Sequence, residues 1–283
     1  KSLDYCINRS IMFCTEHNNN KKLGKGTKNI MNIDCKLPTV YIGYDPTEDD
    51  YFRTLVHSIR KQASAPVQIV PLVQSELRRA GLYSRSYEIV DGRKVDVFDG
   101  KPYSTEFSFT RFLVPFLQQF SGKAIFMDSD MYVRGDIMEV FDRCDSQSNK
   151  AIYCVKHNYT QVEGSIKMDN KLQQNYFRKN WSSFVLWNCD HPAIKRSYTL
   201  SDVNNKSGSW LHGFYWLEND EIGELPEEWN WLDSHSPSSI SAKNVHFTLG
   251  GPMFPSWKPL RKADAMYAIE YGELYKEMVK SND

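Results

Sequence analysis

The chain has 283 residues, enough to bury the core of one large α/β domain or two small ones. Lys+Arg and Asp+Glu both number 35, so the net charge gives no reason to expect nucleic acid or an anionic membrane as a partner. No apolar run approaches the roughly 18 residues of a membrane-spanning helix, so no span is predicted.

The cysteines show no CxxC or other metal-binding spacing. Cys154 and Cys189 lie in apolar runs, where a free thiol behaves as a small hydrophobe. This pattern favours a reducing compartment, and we therefore expect a soluble cytoplasmic protein.

Residues 1–37 differ in composition from the rest of the chain. Their polar and basic stretches lack sustained hydrophobic periodicity, which predicts a poorly ordered N-terminal extension. Residues 38–283 contain no recognisable linker or internal repeat, and we expect them to form a single domain.

The predicted domain opens with a β-α-β pattern. Residues 39–43 and 67–70 are typical of strands, and the apolar spacing within 51–62 is typical of a helix. This order favours parallel strands and a Rossmann-like half. No GxGxxG follows the first strand, so the dinucleotide fingerprint is absent.

A polar loop is predicted over 84–102, and a helical pattern follows over 105–117, which Pro115 kinks or breaks. Arg111 lies in this pattern among aromatic residues. By itself it fits either a snorkelling surface residue or a contact with an anion or sugar. Further strands are predicted at 124–127, 150–155, 181–188 and 245–249, and an amphipathic helix at 263–279.

Asp128-Ser-Asp130 directly follows the apolar strand 124–127. Ligands of open α/β sheets bind beyond the carboxyl ends of the strands, so these acids lie where chemistry is expected. Two carboxylates one residue apart can hold a hard divalent cation that neutralises a phosphate or diphosphate. Asp and Ser also favour turns, so the motif alone leaves a plain polar turn open.

Taken in order, these features resemble the GT-A glycosyltransferases, most closely the family-8 type. The matching residues, spread over 38–260, are Tyr41-Ile-Gly-Tyr-Asp45, Arg111, Asp128-Ser-Asp130, the strand 182–188, and His246-Phe247 followed by glycines. The resemblance implies an α/β fold with a mixed, mainly parallel, Rossmann-like sheet flanked by helices in one domain. It also implies transfer of a hexose from a nucleotide-sugar, expected to be UDP-linked, to an acceptor hydroxyl with retention of configuration.

The resemblance further implies roles for individual residues. Asp128, Asp130 and His246 would hold Mn²⁺ or Mg²⁺, and carboxylates with one imidazole suit these metals. The cation would stabilise the departing nucleoside diphosphate by charge neutralisation. Asp128 would also touch the ribose and sugar of the donor, and Arg111 would contact the donor sugar.

Three residues of the opening segment are expected at the nucleotide. Asp45 would contact the nucleobase, with Tyr44 or Tyr51 near it. Lys258 resembles the diphosphate-binding lysine of the family. Its spacing from His246 is longer than is usual there, so a surface position stays open.

The sequence departs from the family pattern in two places. Ser182-Ser183-Phe184 replaces an Asn-Ala-Gly-like strand start, and residues 210–213 lack the expected acidic or amide cluster. His212 could occupy that neighbourhood and is the remaining catalytic candidate. The acceptor is predicted over residues 158–179 and the Trp210–Trp231 region, whose aromatic rings could stack on sugars.

Two other classes remain open. The missing acidic cluster allows a non-catalytic carbohydrate- or nucleotide-binding protein of the same fold. A DxD phosphohydrolase is less well supported, because its motif normally lies on the earliest strand. Tyr132 also stands where that class has Thr or Val.

Overall fold

A computed structural model describes residues 37–144, 148–157 and 178–281, and the backbone of 11–12 and 30–32. The strands are β1 (Ile11–Met12), β2 (Ile30–Asn32), β3 (Thr39–Gly43), β4 (Gln68–Leu72), β5 (Tyr87–Val90), β6 (Arg93–Asp96), β7 (Pro102–Tyr103), β8 (Lys123–Met127), β9 (Met131–Val133), β10 (Ile152–Cys154), β11 (Phe184–Asn188), β12 (Ile222–Glu224), β13 (Trp231–Leu232) and β14 (Asn244–His246). The α-helices are α1 (Asp49–Gln62), α2 (Gln74–Arg79), α3 (Val114–Leu117), α4 (Met138–Phe141), α5 (Pro192–Ser197), α6 (Leu200–Asn205), α7 (Gly208–His212) and α8 (Lys262–Ser281). Short 3-10 helices span Pro46–Glu48, Thr110–Leu113, Asn219–Glu221 and Glu227–Asn230.

The central sheet has the strand order β12-β10-β11-β8-β3-β4. Its strands run parallel except β11, which is antiparallel to both of its neighbours. This confirms the predicted mixed, mainly parallel sheet. The carboxyl ends of β3, β8, β10 and β12 therefore meet at one edge, where a ligand site is expected.

Apolar side chains cover both faces of this sheet. Tyr41 and Phe126 pack into the core on one face, while Ile42 and Met127 pack into the core on the other. A mainly parallel sheet is stable in this buried position because helices and loops shield both faces from water.

A second sheet, in the order β13-β14-β9, continues from β8, the strand that precedes Asp128-Ser-Asp130. The chain leaves β8 through Asp128-Ser-Asp130 and enters β9, which pairs antiparallel with β14. The amide of Phe247 donates to the carbonyl of Asp130 at 2.9 Å. The late strand β14 is thereby placed beside the acidic motif.

The prediction of a polar loop over 84–102 is wrong. This segment holds the three-stranded sheet β5-β6-β7, whose hairpin turn is Asp91-Gly92 with positive φ at both residues. Asp-Gly is a recognised signal for such a turn. All residues of β5 are exposed, so this small sheet does not bury an apolar face there.

The helical pattern over 105–117 begins later than predicted. A 3-10 helix covers Thr110–Leu113, and α3 continues to Leu117 with Pro115 in its first turn. Proline is tolerated there because the first amides of a helix need no intrahelical acceptor. Pro115 therefore opens this helix and does not kink it.

Cys154 and Cys189 are buried free thiols, as expected from their apolar surroundings. Within the described ranges, no helix combines the length and apolar character needed to cross a bilayer. The predicted extension 1–37 lies almost wholly outside the described residues, and its separation from a domain at 38–283 stays a prediction.

Candidate functional site

The acidic motif lies at the carboxyl end of β8, as predicted. Ser129 is fully buried, and its hydroxyl donates to Glu48 Oε2 at 2.6 Å. The Asp128 amide donates to the Ser183 carbonyl at 3.0 Å. The backbone is thus fixed on both sides of the motif, and the two aspartate carboxylates lie at the cavity beyond the sheet edge.

His246 lies between two oxygen atoms. Its Nε2 is 3.3 Å from Asp130 Oδ1, and its Nδ1 is 3.0 Å from Asn230 Oδ1. The Asn230 amide nitrogen donates to the Asn180 carbonyl at 3.3 Å and to Ser183 Oγ at 3.0 Å, so its oxygen must face His246.

This network assigns the imidazole tautomer. Because Asn230 Oδ1 can only accept, the proton of a neutral His246 ring lies on Nδ1, and the Nε2 lone pair faces Asp130. Two acceptor atoms in this position repel each other unless a proton or a metal ion lies between them. A hydrogen bond that fixes the far nitrogen is the usual way in which proteins orient a metal-binding histidine.

The donor set fits a divalent cation. Asp128, Asp130 and His246 each offer one ligand atom, and these atoms lie within 4.8 Å of one another. Carboxylate oxygens with one imidazole nitrogen suit Mn²⁺, which tolerates nitrogen better than Mg²⁺ does. The structure therefore brings together the three residues that the sequence analysis named as metal ligands, although their role as ligands stays a prediction.

Arg111 lies beside this set and is buried. Its Nη1 is 3.0 Å from Asp128 Oδ1 and donates to the Ser182 carbonyl at 3.0 Å. The guanidinium carbon lies 4.9 Å from the centre of the Phe126 ring. The snorkelling alternative for Arg111 is therefore wrong, since its charged end points into the site.

His212 lies on the Arg111 side of the site. Its Nδ1 is 2.7 Å from Ser182 Oγ, and its ring packs edge-on against Phe112. Burial, with the nearby positive charges of Arg111 and Arg85, holds the pKa of His212 well below its usual value. The ring is therefore neutral at physiological pH and can form a hydrogen bond to a hydroxyl group, as it does with Ser182.

These residues share one cavity of about 210 Å³. Several of its lining residues were not predicted, because they come from elements distant in sequence and carry no motif. They are Glu48, Asp99, Lys101, Asn180, Thr248 and Phe254. The cavity thus contains the metal set, which consists of Asp128, Asp130 and His246, together with positively charged and hydrogen-bonding side chains from several loops.

The predicted nucleobase contact Asp45 does not line this cavity. Its Oδ1 accepts from the amide and hydroxyl of Thr47 at 3.0 and 2.7 Å, and its Oδ2 accepts from the Glu106 amide at 3.1 Å. Burial opposes ionisation of Asp45, but these hydrogen bonds outweigh it and lower its pKa. In this structure the carboxylate holds the loop after β3.

Tyr44, Tyr51 and Lys258 are also absent from the cavity wall. The Tyr44 hydroxyl donates to Asp49, and Tyr51 joins the Gly250 carbonyl to the Met253 amide, with 2.7 Å to each. Lys258 is exposed. The structure thus does not bring these predicted nucleotide contacts together with the metal set, and their donor contacts stay predictions.

Most tryptophans of the predicted acceptor region belong to the core. Trp216, Trp229 and Trp231 are at most 7% exposed, and only Trp210 of this group is partly accessible. Buried rings cannot stack on a sugar, so the prediction is wrong for these three. Residues 158–177 of the predicted acceptor loop lie outside the described residues.

Solved structures with a related fold are glycosyltransferases. The galactosyltransferase LgtC, crystallised with donor and acceptor sugar analogues, has a TM-score of 0.51 and 14% identity over 84% of this chain and 95% of its own. An active-site mutant of LgtC gives a TM-score of 0.50 over the same shares. The bifunctional glycosyltransferase WbbM has a TM-score of 0.44, and this chain spans 46% of its length. GlyE of Streptococcus pneumoniae has a TM-score of 0.48, and this chain spans 64% of its length.

At such identities a structural likeness establishes the fold alone. The chain has the GT-A glycosyltransferase fold, as the sequence resemblance predicted. Among sequences, protein CDI of Arabidopsis thaliana is 43% identical over 251 residues, which cover 86% of this chain and 90% of that protein. The chain belongs to the family of protein CDI. No protein-family model matches it.

Proposed function

We propose that this protein is a metal-dependent glycosyltransferase that transfers a hexose from a nucleotide-sugar, with UDP as the nucleotide, to an acceptor hydroxyl with retention of configuration. The observation that carries the proposal is the convergence of Asp128, Asp130 and an oriented His246 at the carboxyl edge of a GT-A sheet. A divalent cation held there would neutralise the diphosphate leaving group and act as a Lewis acid.

The chain's own residues have separable roles in this proposal. Arg111 orients Asp128 and places a fixed positive charge at the site. Asn230 keeps the Nε2 lone pair of His246 directed at the metal position. Lys179, which is 8% exposed and lines the same cavity, supplies positive charge for the diphosphate. The neutral His212 offers a hydrogen-bonding group where a sugar hydroxyl would lie.

The first test is calorimetric titration of UDP and of GDP, each with and without Mn²⁺, into wild type, Asp130→Ala and Asp142→Ala. Asp142 is an exposed aspartate outside the cavity lining and serves as the matched control. We expect UDP to bind only with Mn²⁺, and Asp130→Ala alone to abolish this binding. Preferred binding of GDP would change the donor class and keep the site.

Absence of metal-dependent binding of either nucleotide would overturn the proposal. It would favour a degenerate binding protein of the same fold. Hydrolysis of UDP-glucose or UDP-galactose in the presence of Mn²⁺ separates an active transferase from such a protein, because slow donor hydrolysis needs no acceptor.

A further inference from the structure

The acids that line the cavity fall into two groups. Asp128, Asp130 and Glu48 lie together, since Glu48 accepts from the serine between the two aspartates. Asp99 comes from the loop between β6 and β7 and lines the same cavity. Among the acids described at this cavity, Asp99 is the one outside the metal group.

Two hydrogen bonds fix where the Asp99 carboxylate lies. Its Oδ2 accepts from the amide of Gly208, the first residue of α7, at 2.7 Å, and its Oδ1 accepts from the Lys101 amide at 3.0 Å. A Cβ atom on Gly208 would approach Asp99 Oδ2 to 3.3 Å, so the absence of a side chain there leaves room for the carboxylate. Asp99 therefore sits against α7, the helix that carries His212.

A continuous wall leads from Asp99 to the metal group. Gly208 and His212 are four residues apart in α7, on one side of the helix. His212 contacts Ser182, and the Ser182 carbonyl accepts from Arg111, which pairs with Asp128. A nucleotide-sugar with its diphosphate at the metal group would lay its sugar along this wall.

The charges along this wall suit the transfer reaction. When the bond between the anomeric carbon and the diphosphate breaks, negative charge grows on the leaving group and positive charge grows on the sugar ring. The leaving group would face the metal position, Lys179 and Arg111. The α7 helix itself carries no acidic residue, and His212 is neutral. Outside the metal group, the described acid that lines this cavity is Asp99 of the β6–β7 loop.

We propose that Asp99 faces the transferred sugar and stabilises the positive charge that develops at its anomeric carbon. This role rests on the proposed function, because it assumes a nucleotide-sugar in the cavity. Asp99 forms no covalent bond in it. Its carboxylate acts by charge and by accepting hydrogen bonds from sugar hydroxyls.

The test uses the full chain, saturated with UDP and Mn²⁺. The iminosugar 1-deoxynojirimycin, a protonated mimic of a positively charged hexose ring, is titrated calorimetrically into wild type, Asp99→Asn and Asp91→Asn. Asn is nearly isosteric and can keep one of the two backbone hydrogen bonds. Asp91, in the exposed turn of the same small sheet, is the matched control.

We expect Asp99→Asn to weaken iminosugar binding by about tenfold or more, the loss typical of one hydrogen bond to a charged group. Asp91→Asn should bind as wild type, and both variants should bind UDP with Mn²⁺ as wild type. Hydrolysis of UDP-glucose or UDP-galactose should fall by about 100-fold in kcat for Asp99→Asn, with KM little changed.

Three outcomes would overturn this role. They are equal iminosugar affinity of Asp99→Asn and wild type, absence of iminosugar binding by wild type, and a loss of UDP binding in Asp99→Asn that matches the loss of iminosugar binding. The last result would assign Asp99 a structural role in anchoring α7. Failure of wild type to bind UDP with Mn²⁺ would instead refute the proposed function on which the role rests.

Discussion

At the scale of single residues, the most informative contact is between His246 and Asn230. A buried amide oxygen at 3.0 Å assigns the ring tautomer and directs the other nitrogen at Asp130. Asn230 itself is fully buried and held by two further hydrogen bonds. The histidine is thus oriented before any ligand arrives, which reduces the entropy lost on metal binding.

We therefore expect Asn230→Ala to weaken Mn²⁺ binding by about 10- to 100-fold, the range typical for lost support of a metal ligand. Electron paramagnetic resonance of free Mn²⁺ in a titration measures this directly. Thermal unfolding without metal serves as the control for folding, because a buried asparagine also contributes to stability. Unchanged Mn²⁺ affinity in a folded variant would mean that Asn230 does not orient the ligand.

At the scale of elements, the segment after β14 forms one wall of the cavity and is fastened from several sides. The buried Asp233 accepts from the amide and hydroxyl of Thr248 at 2.8 and 3.0 Å. Tyr51 of α1 bonds Gly250 and Met253. Tyr51 was predicted near the nucleobase, and the structure gives it a role in holding this wall.

Gly251 lies at the centre of this segment with φ of +75°, a conformation that side chains disfavour. A Cβ atom there would meet Phe247 Cβ at 2.8 Å and the Tyr51 hydroxyl at 2.9 Å. We expect Gly251→Ala to lower the free energy of unfolding by about 1–3 kcal/mol, measured by urea denaturation.

The matched control is Gly272→Ala in α8, where no atom lies within 4 Å of the added methyl group. Alanine is favoured over glycine in a helix interior, so this variant should gain about 0.5–1 kcal/mol. Equal effects of the two substitutions would show that backbone strain and crowding at Gly251 are unimportant.

At the scale of the whole molecule, two partly buried histidines, His157 and His212, make the free energy of unfolding depend on pH. Burial, with a smaller effect of His246, lowers the pKa of His157 to about 3, and the pKa of His212 is also well below its usual value. The unfolded chain binds a proton at each histidine near pH 6.5, whereas the folded chain does not. Stability from these groups is present above about pH 6.5 and is lost as the pH falls.

Below pH 6, Asp233 acts in the opposite direction. Its burial raises its pKa to about 6, so the folded protein binds a proton there before the unfolded chain does. Because these effects oppose each other, we compare wild type with a variant that lacks one histidine, and we make no prediction from the pH dependence of wild type alone. The free energy of unfolding of wild type should fall relative to His157→Gln by about 1.4 kcal/mol for each pH unit below 6.5. Urea denaturation at pH 7, 6 and 5 measures this, and parallel curves would contradict it.

Sequence reasoning predicted the strand 124–127 and the Asp-x-Asp after it from a local pattern, whereas His246 was named from the resemblance to family-8 glycosyltransferases. An apolar run followed by Asp-x-Asp predicts a strand that ends at acidic side chains, and this prediction does not depend on the rest of the chain. The same reasoning failed for three tryptophans, because residue type alone does not tell whether a ring is buried.

Hydrophobic periodicity and the order of strands and helices were enough to predict an α/β fold with parallel strands, because they restrict the possible topologies. The acidic motif could also be read from the printed residues. The pairing of Arg111 with Asp128, the contact of Asn230 with His246 and the hydrogen bond from Gly208 to Asp99 could be seen only in the folded chain. These contacts join residues far apart in the chain, and they form only when the sheet edge brings those residues together.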